Sequence, residues 1–264
     1  MQAIIRHNAT QLRSVFSVIH EEPKQWECRF SLKEWAAEET DSCRQFLEQY
    51  GTYIEAPSFD MSAAFWANRF SRFIAFGHWA IVHGFDMNNI SSRCTVYLVP
   101  GEYAEPVYQF LIDQETLENS EADSSNTKQA LAQYYAEHVT PLFLKFSETA
   151  DVRIKELWGQ VYHAVPYFLH LAKVTENPEI EQALRKSWQD VLDFEEGYIF
   201  GRAKPPFAFR CMEIPNPAGE EKIYTKPTCC LAFKGSNSYC YRCPRMKKEE
   251  RNARYNKLTK RQEA

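Results

Sequence analysis

The segment from Met61 to Val82 limits the architecture more than any other part of the chain. It is the most apolar stretch, rich in Ala, Phe and Trp, yet Asn68, Arg69, Ser71 and Arg72 sit near its centre. Charges at that depth make a membrane-spanning helix expensive, so the segment reads as a buried core helix. With 264 residues, 44% of them apolar, the chain has enough material to surround such a helix. An aromatic share of 14% supplies large anchors for the core.

The flanking patterns are mixed. Residues 8–20 suit a short helix. Ser31-Leu-Lys-Glu34 reads as a capping box, opening a helix to about Tyr50 with Gly51 as its stop. Asp60 caps the central helix and Gly84 ends it. Two β-rich runs, Cys94–Val99 and Val107–Ile112, flank Pro100-Gly101 and predict a hairpin, with Pro106 at a strand end. Residues 113–127 are acidic, rich in Ser and Asn, and lack periodicity, which predicts an exposed loop and a subdomain boundary.

Helical pattern returns over Lys128–Ser147, broken at Pro141. It resumes over about Asp151–Val174, interrupted by Pro166, and over about Pro178–Phe194, with proline in the first turn. Phe207–Ile214 and Glu221–Thr225 read as two strands around the turn Pro215–Gly219. The expected class is α+β: helix in the majority, a small antiparallel sheet and a C-terminal cysteine-rich metal-binding segment. The expected parts are 1–112, 128–225 and 226–264, either distinct or continuous as one domain.

The start of the chain, Met1 to His7, has no apolar run leading to a small-residue cleavage site, so a cytoplasmic protein is expected. In a reducing compartment, the eight cysteines point to metal or redox chemistry rather than disulfides. Cys28, Cys43, Cys94 and Cys211 are scattered and read as small buried apolar residues. Cys229, Cys230, Cys240 and Cys243 instead fall within one short segment, with Gly235, Ser236 and Asn237 supplying a loop between the two pairs. Zinc sites usually take a spaced pair at each end. Neighbouring side chains on an extended segment point to opposite faces, so adjacent cysteines need a bend to share one centre. A dinuclear cluster spreads four thiolates around a larger object, which favours iron–sulfur over zinc.

On these residues, with the flanking Thr228, Leu231 and Pro244, the chain resembles the FhuF-like siderophore-iron reductases, whose C-terminal cysteines ligate a [2Fe–2S] cluster. A second likeness lies in His138-Val-Thr-Pro141 and Leu157-Trp158-Gly159, so the resemblance covers roughly residues 135–245. The central spacing is one residue shorter than the family's usual one. The resemblance implies a [2Fe–2S] cofactor on Cys229, Cys230, Cys240 and Cys243, and one-electron reduction of siderophore-bound Fe(III). Hard anionic oxygens hold Fe(III) strongly and Fe(II) weakly, so one added electron frees the metal.

Lys226, Arg242 and Arg245 flank the cysteines. They are candidates for holding an anionic ferric complex or tuning the cluster, or they are ordinary surface charges. Tyr239 and Tyr241 suggest packing around Cys240, Trp158 a core position, and His78, His83, His163 and His170 surface or satisfied core histidines. The sequence has no glycine-rich phosphate loop, so the electron is expected from a separate donor protein or reductase. The chain carries a formal charge of −4, yet the stretch after Cys243 is basic. That tail is compatible with a solvated helix or an anionic partner; nucleic acid is not expected, whereas peripheral association with a siderophore importer fits. Two competing readings are a structural zinc-binding interaction module and an iron–sulfur electron carrier or sensor without its own substrate.

Overall fold

The computed structural model describes residues 2–36, 41–99, 107–120, 126–173, 177–219, 221–236 and 238–260. The chain runs α1 (Gln2–Phe16), β1 (Val18–Ile19), β2 (Cys28–Ser31), α2 (Leu32–Ala36), α3 (Ser42–Tyr53), α4 (Phe59–Val82), α5 (Met87–Arg93), β3 (Thr95–Val99) and β4 (Val107–Leu111). It continues through α6 (Gln114–Glu118), α7 (Thr127–Tyr134), α8 (Thr140–Thr149), α9 (Ile154–Lys173), α10 (Pro178–Leu192), β5 (Glu213–Ile214), β6 (Ile223–Tyr224), α11 (Phe233–Ser236) and α12 (Lys248–Lys260). Helix is in the majority. Among the described residues, no helix is long and apolar enough to cross a membrane.

Helix α4 is the axis of the fold. Its 24 residues bury nearly every side chain between Met61 and Ile81. Helix α9 packs along it, and α1, α3, α8 and α10 close the remaining sides. Arg72, one of the charges that argued against a membrane span, is accommodated inside. Its guanidinium lies over the Phe168 ring at 5.0 Å and donates to Ser17 Oγ at 2.9 Å. Gly84, at φ +81°, terminates the segment beyond α4 in a conformation that glycine adopts without strain.

The expected hairpin is present: β3 and β4 pair antiparallel, with Val96 opposite Phe110. The sheet order is β1-β4-β3-β2, antiparallel except for the short parallel pairing of β1 with β4. Its inner face meets α4 through aromatic rings, Phe73 lying 4.8 Å from Phe110 between centroids. One apolar core joins residues from Leu12 in α1 to Phe207. A second, smaller cluster joins Met61 and Ala64 of α4 to Cys229, Leu231, Cys243 and Met246.

Several local expectations need correction. Ser31 ends strand β2 and directly precedes α2, so a helix does open where the capping box placed it, with Glu34 in its first turn; residues 37–40 of the expected long helix lie outside the described residues, and α3 begins at Ser42. Gly51 does not stop α3. The helix runs on to Tyr53, and Gly51 is buried where an added Cβ would stand 2.7 Å from Ser62 Oγ, so its role is close packing. Pro166 does not interrupt α9; it is exposed, and solvent can satisfy the carbonyl it leaves without a donor. The break expected at Pro141 is a π-helical turn over Tyr135–Val139, with Pro141 in the first turn of α8. The acidic stretch contains the short α6, and residues 121–125 lie outside the described residues. Of Phe207–Ile214, only Glu213–Ile214 is strand, pairing with Ile223–Tyr224.

Candidate functional site

The cysteine segment is seated on the first turns of α9. Thr228 Oγ1 donates to the Glu156 carbonyl at 2.9 Å, and Gln160 Nε2 donates to Thr228 Oγ1 at 2.9 Å and to the Thr228 carbonyl at 3.4 Å. Gly159 makes that approach feasible: a Cβ there would fall 2.2 Å from Thr228 Oγ1 and 2.4 Å from its Cγ2. The Leu157-Trp158-Gly159 signature therefore has a local explanation. Trp158 is fully buried, with Nε1 donating to the Phe200 carbonyl at 3.1 Å, and Gly159 admits the cysteine strand.

Beyond Thr228 the two adjacent cysteines diverge. Leu231, at φ +63°, turns the backbone sharply in a conformation that a branched side chain rarely adopts. Cys229 Sγ lies 3.5 Å from Cys243 Sγ. Cys240 lies close enough to Cys230 and Cys243 to influence the ionisation of both. One member of the adjacent pair thus meets one member of the Cys240–Cys243 pair. Backbone N–H groups point at the sulfurs: Leu231 N–H to Cys229 at 3.4 Å, Ala232 N–H to Cys230 and Arg245 N–H to Cys243. Among the described residues, however, no group of three or more His, Cys, Asp or Glu side chains is arranged to hold a metal ion.

Charge around the sulfurs is uneven. The hydrogen bond from Cys243 holds the Cys229 thiol below its usual range, and the same contact pushes the Cys243 thiol up. Contact with Cys240, then burial, pushes the Cys230 thiol up. Arg245 lies near Cys229 and Lys226 near Cys230, each favouring a thiolate. The donor types are those of thiolate ligation, with Cys229 and Cys243 in contact, backbone amides and cations alongside, although the described side chains do not converge as a metal-holding group.

The second half of the segment is held from the basic tail. Arg251 is buried at 6% exposure and donates to the carbonyls of Tyr241, Cys243 and Met246, the last two at 2.9 and 3.1 Å. Arg254 donates to the Tyr239 carbonyl. Tyr241 is buried, its hydroxyl donating to the Pro215 carbonyl at 2.7 Å, and Tyr239 packs on Phe233. Lys234 ties the loop to α4 through an ion pair with Asp60. The expected tyrosine packing is present, and two basic residues of the tail are structural.

The three flanking cations separate. The Lys226 N–H donates to the Arg242 carbonyl at 2.7 Å, and Arg242 Nε donates to the Tyr224 carbonyl at 2.7 Å. Both lie beside His163, whose pKa falls to about 4 through burial first and these two cations second. Arg245 instead lines a cleft of about 910 Å³, together with Cys229, Pro244, Thr228 and Pro227. Arg153, Lys155 and Glu156 of the α9 start, and Arg202, Phe209 and Arg210, complete its wall. Sequence reading missed those four cations, which come from distant positions with no shared motif. His78 is a satisfied core histidine, between Ser187 Oγ at 2.9 Å and the Tyr135 hydroxyl at 3.0 Å. Cys43 and Cys94 are buried as expected, whereas Cys28 and Cys211 are partly exposed and not core residues. No protein-family model, curated protein or solved structure matches this chain.

Proposed function

We propose that this chain is an iron–sulfur oxidoreductase of the FhuF-like kind, acting in the cytoplasm on Fe(III) held in a siderophore. Cys229, Cys230, Cys240 and Cys243 are the residues to hold a [2Fe–2S] cluster. The observation that supports this most is the contact of Cys229 with Cys243 around the Leu231 bend, with Cys240 influencing both Cys230 and Cys243 and the Leu231 amide directed at Cys229. When bound, such a cluster supplies storage for one electron at a potential that all-thiolate ligation keeps low.

The chain's own residues hold the loop and set its surroundings. Thr228 and Gln160 fix the first cysteine pair on α9, while Arg251 and Arg254 fix the carbonyls around the second pair. Met61, Ala64, Leu231 and Met246 exclude water from one side. In the overall reaction a separate ferredoxin-type, flavodoxin-type or reductase donor loses one electron and the ferric chelate gains it. Fe(II) then leaves oxygens that bind it weakly, and those oxygens take up protons. A position beside a siderophore importer on the membrane's inner face would suit this role. The nucleic-acid alternative is weakened by the engagement of Arg251 and Arg254 within the protein.

Oxygen-free purification, a visible spectrum and counts of iron and sulfide test the reading. The expected result is coloured protein whose chemically reduced form is reoxidised by a ferric siderophore, with colour lost in Cys229→Ser and Cys243→Ser. Colourless protein containing zinc would select the structural zinc module. Coloured protein that ferric siderophores leave reduced would select the carrier or sensor.

A further inference from the structure

The cleft beside Cys229 has a charge composition that selects among chelates. Five cationic side chains, Arg153, Lys155, Arg202, Arg210 and Arg245, line it against a single carboxylate, Glu156, which is already ion-paired with Arg153. Its remaining wall is largely apolar: Ile154, Ala208, Phe209, Pro227 and Pro244. Low-dielectric walls between like charges concentrate the field on whatever occupies the space. The first turn of α9, a helix of 20 residues, adds the positive end of its dipole at Arg153–Glu156. Arg202 contributes a buried Nε that, among the described residues, has no hydrogen-bond acceptor. Lys155 is held over the Phe209 ring at 5.5 Å, a cation set against a flat aromatic surface. The volume falls in the range of small-molecule sites, about 300–1,000 Å³.

We infer that this cleft seats the ferric chelate and that it takes polyanionic chelates, of the tris-catecholate type, in preference to neutral trihydroxamates. The inference rests on the reading of the chain as a ferric-siderophore reductase and specifies its substrate class. Three catecholate dianions around a trivalent metal leave a polyanion, whereas three hydroxamate monoanions leave a neutral complex. Guanidinium groups donate to the coordinated oxygens in a planar fork, and catechol rings stack on Phe209 and against the prolines. Cys229 is part of the same wall, so a bound chelate rests against one of the four thiol residues.

Gallium(III) tests this without electron transfer, because it matches iron(III) in charge and preferred ligands but is not reduced by the protein. Binding of a gallium tris-catecholate and a gallium trihydroxamate to the purified full chain is measured by calorimetry. The expected result is a preference of about ten-fold or more for the tris-catecholate, shrinking as salt rises. Lys155→Gln and Arg210→Gln are both at exposed positions, so folding is spared. Each should weaken tris-catecholate binding about three-fold, with little effect on the trihydroxamate. Lys186→Gln on α10, outside the cleft, serves as the control. Equal affinity for the two chelates, no binding of either, or a preference untouched by both cleft substitutions would overturn the inference. The visible spectrum reports separately on the metal centre. Colourless protein that keeps the preference sinks the reductase reading and leaves the cleft as an anion site. Coloured protein without the preference sinks only the chelate class.

Discussion

Replacing Gly159 by alanine sets two effects against each other, and the structure decides the sign. In an exposed helix interior the change stabilises by about 1 kcal/mol, because alanine is the better helix former. Here the new methyl would stand 2.2 Å from Thr228 Oγ1, 2.4 Å from Cγ2 and 2.7 Å from Cβ. Those atoms belong to a buried residue fixed by bonds to Glu156 and Gln160, so they cannot swing into solvent. Overpacking of this kind costs about 1–3 kcal/mol. Pushing Thr228 away also weakens its hydrogen bonds, each contributing about 1 kcal/mol. The net expectation is a loss of about 2–3 kcal/mol, with the cysteine segment dislodged from α9. Chemical denaturation should report the loss as a lower midpoint at unchanged slope, and reconstitution with iron and sulfide should yield less colour per chain. The double change Gly159→Ala, Thr228→Ala should recover part of the stability, since it removes the two closest atoms. If Gly159→Ala is stabilised by the full helix-propensity gain and still takes up metal normally, the seating of the cysteine segment on α9 is wrong.

Arg251→Met should cost about 3 kcal/mol, because it takes the guanidinium donor from three buried carbonyls, of which, among the described residues, only Cys243 keeps another donor, the Met246 N–H, and Arg251→Lys should fall between the wild type and Arg251→Met. Unfolding midpoints check this; an effect under about 0.5 kcal/mol would remove Arg251 from its structural role. Phe73→Ala empties the contact between α4 and β4 and should cost about 3–5 kcal/mol by the same assay. Burial lowers the His78 pKa to about 3, below its ordinary value near 6.5, so the unfolded chain binds the extra proton first. Its contribution is complete above pH 6.5 and is lost as pH falls toward 3, at about 1.4 kcal/mol per pH unit. Urea titrations between pH 7 and pH 4 should show that slope flattened in His78→Gln, and parallel profiles would contradict it.

Sequence alone exposed the elements whose signal is local. The apolar run with central arginines gave α4, and two β-rich runs across Pro100-Gly101 gave the β3–β4 hairpin. It misled where one residue type serves two purposes. Gly51 looks like a helix stop, yet it is needed for the approach of Ser62, and Pro166 looks like a break until its exposed position is known. The clustering of four cysteines was legible from spacing, but not the contact of Cys229 with Cys243 across the bend at Leu231, whose positive φ nothing about leucine suggests. Arg251 passed for one more charge in a solvated tail because its acceptors are carbonyls, and carbonyls leave no mark on a sequence. The cleft was equally invisible: its cations are scattered from Arg153 to Arg245 and meet only after α9 and the cysteine segment dock.

The small cluster of Met61, Ala64, Cys229, Leu231, Cys243 and Met246 stands apart from the main core. If these cysteines hold the proposed cluster, removing it should therefore unlatch a flap and leave the body standing. A protease offered such stripped protein ought to trim the carboxyl-terminal end at Lys226 or beyond, while the helices around α4 survive as a resistant fragment. Iron supply would then govern how long the carboxyl-terminal segment lasts, coupling the chain's lifetime to the nutrient it is proposed to release.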